Sequence, residues 1–213
     1  MLKEITGKIS INAHSSIRID GEPVIYIDPF MIEEAANDGD VIFITHDHHD
    51  HFSPEDIAKV RKNDTVFVVP ESCVKSANDA GISGDDLKTM REGDVLEVKG
   101  ISALAVAAYN LRKQFHPKRN GWLGYVLTID DVRVYIAGDT DVTPEAKKVS
   151  CDIAMVPVGG TYTTDPAEAA ALVNEIKPKT AIPTHYGSIV GDLNDDSRFM
   201  EKVDPDIWVA LKL

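Results

Sequence analysis

Two short stretches near the start of the chain, residues 8–12 and 16–20, alternate apolar and polar side chains with the period of a half-buried strand. Gly21-Glu22 offers a turn before a third apolar stretch at 24–27. Residues 41–44, Val-Ile-Phe-Ile, are continuously apolar and predict a strand buried on both faces. Ser53 can cap a helix, with Pro54 at its first position and Glu55 and Asp56 in its first turn. A strand at 65–69 precedes a predicted helix over 71–80. Consecutive strands follow at 95–98, 101–109, 122–129 and 132–137, with Asp130-Asp131 as a hairpin turn. The last third alternates strand and helix. A strand at 153–158 leads to the capping box Asp165-Pro166-Ala167-Glu168 and an alanine-rich helix ending near Ile176. Strands at 180–183 and 207–211 then close the sheet. Many strands with helices on their flanks predict an α+β fold of two sheets with outer helices.

Composition narrows the field. The 213 residues suit one domain spanning 1–213, with no Gly/Ser- or Pro-rich linker and no internal repeat. No apolar run reaches the roughly 18 residues of a membrane span, and the N-terminus lacks a signal-peptide core, which predicts a cytoplasmic protein without a membrane partner. Cys73 and Cys151 fit no C-x-x-C pattern and read as reduced thiols. The net charge is −13, from 35 acidic and 22 basic side chains, which repels a polyphosphate backbone and argues against a nucleic-acid partner. Homo-oligomerisation stays open.

The chemistry gathers at strand ends. Four of the seven histidines lie in His46-Asp47-His48-His49-Asp50-His51, directly after the apolar strand. Neutral imidazole and carboxylate are common transition-metal ligands. In a short turn after a strand, His46 and His48 can point the same way, while Asp50 and His51 swing towards a second ion as the helix begins. Other ligand types recur after strands: Asp28 after 24–27, Asp139 after 132–137 and His185 after 180–183. Catalytic groups favour such loops on a rigid scaffold.

His46-x-His48-x-Asp50-His51 resembles the H-x-H-x-D-H signature of the metallo-β-lactamase superfamily, and Asp28, Asp139 and His185 match its other motifs in order. More narrowly, the chain resembles the compact metal-dependent hydrolases that include ascorbate-6-phosphate lactonase-like proteins. The matching stretches are Asn12-Ala13-His14-Ser15-Ser16, Tyr26-Ile27-Asp28-Pro29-Phe30, Ala137-Gly138-Asp139-Thr140-Asp141, Pro157-Val158-Gly159-Gly160-Thr161-Tyr162 and Pro183-Thr184-His185-Tyr186-Gly187. The resemblance implies a four-layer αβ/βα sandwich of two mixed sheets with the site at one edge. It implies two divalent ions, zinc by default with manganese or iron as alternatives. His46 and His48 would hold the first; Asp50, His51 and His185 the second; Asp139 would bridge and Asp28 would orient a ligand. His49 falls at a non-ligand position, and His14 falls near the site mouth.

The chain departs from that pattern once. The first ion normally takes a third histidine at the end of a middle strand, and here the strand over 101–109 ends in Asn110, with His116 six residues on. Either His116 reaches back or Asn110 takes the position. Tyr162 can line a substrate pocket, and Arg112, Lys113, Lys118 and Arg119 form a basic island that can attract an anionic group. The expected activity is hydrolysis of a small anionic ester or lactone by a metal-bound hydroxide, with Asp139 and Asp50 as catalytic groups. A phosphodiesterase, a mononuclear iron dioxygenase and a non-catalytic metal-binding protein are the alternatives.

Overall fold

The computed structural model describes residues 1–213. In chain order the elements are α1 (Leu2–Lys8), β1 (Ile9–Ala13), β2 (Ser16–Ile19), β3 (Ile25–Ile27), β4 (Gly39–Phe43), α2 (Pro54–Val60), β5 (Arg61–Pro70), α3 (Val74–Asp79) and β6 (Leu87–Met90). They continue with β7 (Val95–Val98), β8 (Ile101–Ala107), β9 (Leu123–Ile129), β10 (Val132–Ile136), β11 (Ile153–Pro157), α4 (Pro166–Ile176), β12 (Thr180–Thr184), α5 (Asp195–Met200) and β13 (Trp208–Val209). Strands β1 to β6 form one sheet in sequence order, antiparallel from β1 to β3 and parallel from β3 to β6. Strands β13 to β7 form the second, parallel among β10 to β13 and antiparallel among β7 to β10.

Three apolar layers separate four structural ones. Ile17, Ile27, Val41 and Phe43 of the first sheet pack against Leu123, Tyr125, Val134 and Met155 of the second, making the central core. Ile42, Phe67 and Val69 face α2 and α3. Tyr135, Ala154 and Ala181 face α4 and α5 through Ala169, Leu172, Val173 and Phe199. The run at 41–44 is apolar throughout because Val41 and Phe43 enter the central core while Ile42 and Ile44 enter the outer one. This is the four-layer αβ/βα sandwich of two mixed sheets with outer helices.

The predicted elements hold with shifted ends. Strand β8 stops at Ala107, two residues short, and β5 starts at Arg61, four residues earlier than expected. The helix expected over 71–80 opens as a tight turn, Glu71–Cys73, before α3. Both caps form: Ser53 Oγ accepts from Asp56 N at 3.3 Å, and Asp165 accepts from Glu168 N at 2.8 Å while Glu168 returns a bond to Asp165 N. Three short elements were invisible to periodicity: α1, β6 and α5, each of seven residues or fewer. Cys73 lies in the outer core under α2 and α3, and Cys151 packs against that under α4 and α5, so the two free thiols are on opposite faces. Burial pushes both up to about 12.

Candidate metal centre

At one edge the two sheets converge. Leu123 N donates to Thr45 O at 3.1 Å, and Tyr125 Oη donates to Ile44 O at 2.7 Å. Gly138 sits here at φ +64°, and a Cβ on it would lie 3.2 Å from Thr45 Cβ, so this close approach needs glycine. The loops after β3, β4, β8, β10 and β12 all open onto this edge.

Six of the seven histidines meet there: His14, His46, His48, His51, His116 and His185. His49 does not join them, and its side chain is 80% exposed. Three sets of donor atoms lie mutually within 4.8 Å: His46, His48 and His116; His46, His51 and Asp139; and His14, Asp50, His51 and His185. Asp139 lies between the sets. Its Oδ2 is 3.2 Å from His116 Nε2 and 3.0 Å from His185 Nε2, and its Oδ1 is 3.3 Å from His51 Nε2.

The residues beneath fix the imidazoles. Thr45, the buried residue just before His46, donates from Oγ1 to Asp28 at 2.6 Å and from its backbone N at 2.7 Å. That Oγ1 lies 3.0 Å from His46 Nδ1, and Asp28 Oδ2 lies 2.8 Å from His51 Nδ1. Both rings thereby present Nε2 inward, the support that metal-ligating histidines require. Asp28 adopts φ +48° at the end of β3 to make this contact. Nothing in the sequence pattern singled out Thr45; its signal was a polar residue between an apolar strand and the first histidine. Trp122 was read only as a strand start, yet its ring lies 4.9, 4.7 and 5.5 Å from those of His46, His48 and His116.

Of Asn110 and His116, it is His116 whose ring nitrogen faces His46 and His48. Asn110 Oδ1 accepts from His116 N at 3.0 Å and lies 3.1 Å from Nδ1, which turns His116 Nε2 towards Asp139. Asn110 Nδ2 in turn donates to Asp141 Oδ1 and to Tyr162 O. His14 is fully buried rather than at the mouth, with Nε2 3.4 Å from Asp50 Oδ2.

Electrostatics favour cation binding. Burial lowers His46, His48 and His14, keeping their lone pairs free. Burial opposes protonation of His51 too, but Asp139 and Asp28 outweigh it and push His51 up to about 9. Burial works against ionised Asp139, and His185 and His51 overcome it, holding the carboxyl well below its usual range.

The donors fit a metal on an observation independent of their type. Seven buried side-chain polar atoms lack a hydrogen-bond partner, and six belong to this cluster: Nε2 of His14, His51 and His116, both ring nitrogens of His185, and Asp139 Oδ1. Orphaned buried polar atoms are rare because each costs about 1–3 kcal/mol. Their spacings, 3.0–3.4 Å for His14–Asp50 and for the three Asp139 pairs, match the edge of a tetrahedron around an ion with bonds of about 2.1 Å, roughly 3.4 Å.

A cavity of about 190 Å³ opens over the cluster. His48, Asp50, His116 and Asp139 form its floor, and Phe115, Tyr162 and Ile189 its walls. No Lys or Arg lines it. The basic island points elsewhere: Lys113 pairs with Asp141 at 2.9 Å, Lys118 pairs with Glu145 at 2.6 Å, and Arg112 and Arg119 are exposed.

The chain is similar in sequence and in fold to known proteins. A UPF0173 metal-dependent hydrolase from Thermococcus onnurineus is 29% identical over 193 residues, covering 85% of each chain. A UPF0173 protein from Pyrococcus abyssi is 32% identical over 193 residues, 88% of this chain and 86% of its own. The crystal structure of a candidate metal-dependent hydrolase from Parabacteroides distasonis superposes with a TM-score of 0.78 at 31% identity, covering 96% of this chain and 91% of that one. The family model described as Beta-lactamase superfamily domain matches residues 8–185, and the chain belongs to that family.

Proposed function

We propose that this chain is a metal-dependent hydrolase of a small ester or lactone, with His46, His48 and His116 holding one divalent ion, Asp50, His51 and His185 a second, and Asp139 between them. The observation that carries this reading is the convergence of orphaned buried atoms of five residues, His14, His51, His116, Asp139 and His185, beneath one cavity. Two such ions would lower the pKa of bound water towards neutrality and polarise the scissile group. The imidazole-rich donor set suits zinc, and manganese or iron could take the same ligands.

The protein's own groups do the rest. Asp139 presents both oxygens to the two sets of histidines and fixes their separation. Asp50 lies on the cavity floor with its side chain 12% exposed, placed to pass a proton from the attacking water to the leaving oxygen. Phe115 and Tyr162, edge to face at 4.6 Å, give the cavity an aromatic wall. The absence of Lys and Arg from the lining favours a carbonyl substrate over a phosphodiester. An anionic group on the substrate would have to be met by the ions themselves.

The test is a panel of lactones, carboxylic esters and phosphodiesters assayed with added Zn²⁺ or Mn²⁺. Turnover is expected among the lactones or esters, and Asp139→Ala should nearly abolish it. Wild-type kcat in that variant, or clearly less than one metal equivalent bound under replete conditions, would overturn the reading.

A further inference from the structure

The donors assigned above leave one of the six converging imidazoles unused. His14 occupies the first position of the two-residue loop joining β1 and β2, where Ala13 pairs with Ser16. Its φ is +55°, a conformation that hairpin loops ordinarily give to glycine, and that costs a side-chain-bearing residue about 1–2 kcal/mol. A surface hairpin tip has no need of histidine, yet this side chain is fully buried. The loop is held against the second sheet, since His185 N donates to His14 O at 2.9 Å. His185 itself has φ +59°, so two strained residues are bonded to each other at the site.

The side chain points inward. His14 Nδ1 lies 3.3 Å from Ser188 Oγ, which leaves Nε2 for the interior. That Nε2 has no hydrogen-bond partner. It lies within 4.8 Å of the donor atoms of Asp50, His51 and His185, and 3.4 Å from Asp50 Oδ2. The His14 and His185 rings lie 3.7 Å apart, tilted by 43°.

We infer that His14 Nε2 is a direct ligand of the second ion, beside Asp50, His51 and His185; the inference rests on the two-ion reading proposed above. The second ion then has three imidazoles and Asp50 to itself, with Asp139 shared, while the first has three imidazoles and only the shared carboxylate. The two sites are unequal, and the second fills first and holds its ion more tightly. The strain at His14 is the cost of reaching into the site from the β1–β2 turn.

The test loads the full-length protein with an NMR-active cadmium isotope alone and looks for scalar coupling between the metal and labelled imidazole nitrogens. His14 Nε2 should couple, as should His51 and His185. Coupling at His51 and His185 without coupling at His14 would overturn this inference and leave the two-ion reading intact. Failure to bind cadmium at all would overturn both. A second measurement uses His14→Gly, which suits the positive φ. Its metal-free form should melt no lower than wild type, while chelator competition with Zn²⁺ should show the tighter site weakened on the order of 100-fold and the weaker site unchanged. An unchanged tighter site would sink the proposal.

Discussion

At the scale of single residues, the proposed metal site depends on side chains outside its ligand set. Asn110 stands where a third histidine was expected, and its amide instead takes up the backbone and ring N–H of His116. Its own N–H groups are satisfied by Asp141 and Tyr162, so the clamp is fully bonded on both sides. Asn110→Ala should leave the fold intact but free His116 to rotate. Affinity for the first ion should then fall about 10–100-fold, the usual effect of losing a partner that orients a ligand. Zn²⁺ titration against a chromophoric chelator measures this, and equal affinity in variant and wild type would show that His116 does not need the clamp. His46, His48, Asp50 and His51 were legible in sequence because one loop carries them at a recognisable spacing. Asp139 and His185 were legible as ligand types at strand ends. His116 was ambiguous because its reach depends on the fold of the loop over 108–122. The burial of His14 was invisible because it follows from a contact between the β1–β2 turn and β12, across 171 positions of sequence.

At the scale of elements, strand ends deliver the ligands and glycines let them approach. Gly159, just after β11, packs on the backbone of the loop after β12: a Cβ there would lie 2.2 Å from His185 O and 2.9 Å from Val190 Cγ2. The His185 carbonyl is backbone and cannot swing aside. Gly159→Ala must therefore displace the segment that carries His185. Overpacking of this kind costs about 1–3 kcal/mol, and for a chain of this size each kcal/mol moves the melting temperature by roughly 2–4 °C. The variant should melt lower and bind the second ion more weakly in the same preparation. A lower melting temperature with undiminished ion affinity would mean that the shift is absorbed elsewhere. The sequence pattern located strands β1 to β5 and β7 to β13 because each lies in a stretch long or apolar enough to show its period. It missed α1, β6 and α5 because a helix of one or two turns, or a strand with a single buried residue, carries too little periodicity to register.

At the scale of the whole molecule, the net charge of −13 makes carboxylates the chief determinant of acid behaviour. Several do structural work far from the metal centre. Asp56, at the start of α2, accepts from Met31 N, Ile32 N, Ser53 Oγ and Lys59 Nζ at 2.9–3.1 Å, which pins the loop after β3 to the helix after the histidine cluster. Burial alone would raise its pKa, but Lys59, Ser53 and the Ile32 amide outweigh it and hold it below the usual carboxylate range. A carboxylate depressed in the folded state binds fewer protons there than in the unfolded chain. Its stabilisation is complete above the unfolded value, near pH 4, and is lost as pH falls through the lower folded value. Asp40 and Asp152, paired with Lys62 and Lys179, are depressed in the same direction and add to the slope. Asp56→Asn removes one titrating group while nearly keeping its shape. At pH 7 the variant should be less stable by about 2 kcal/mol, the usual worth of hydrogen bonds to a charged group. Between pH 5 and pH 3 the gap should narrow, because protonation of Asp56 in the wild type does what the substitution has already done. Urea midpoints measured across that range on chelator-treated protein give the comparison. A gap that stays constant with pH would mean that the Asp56 carboxylate is not what ties the loop to the helix.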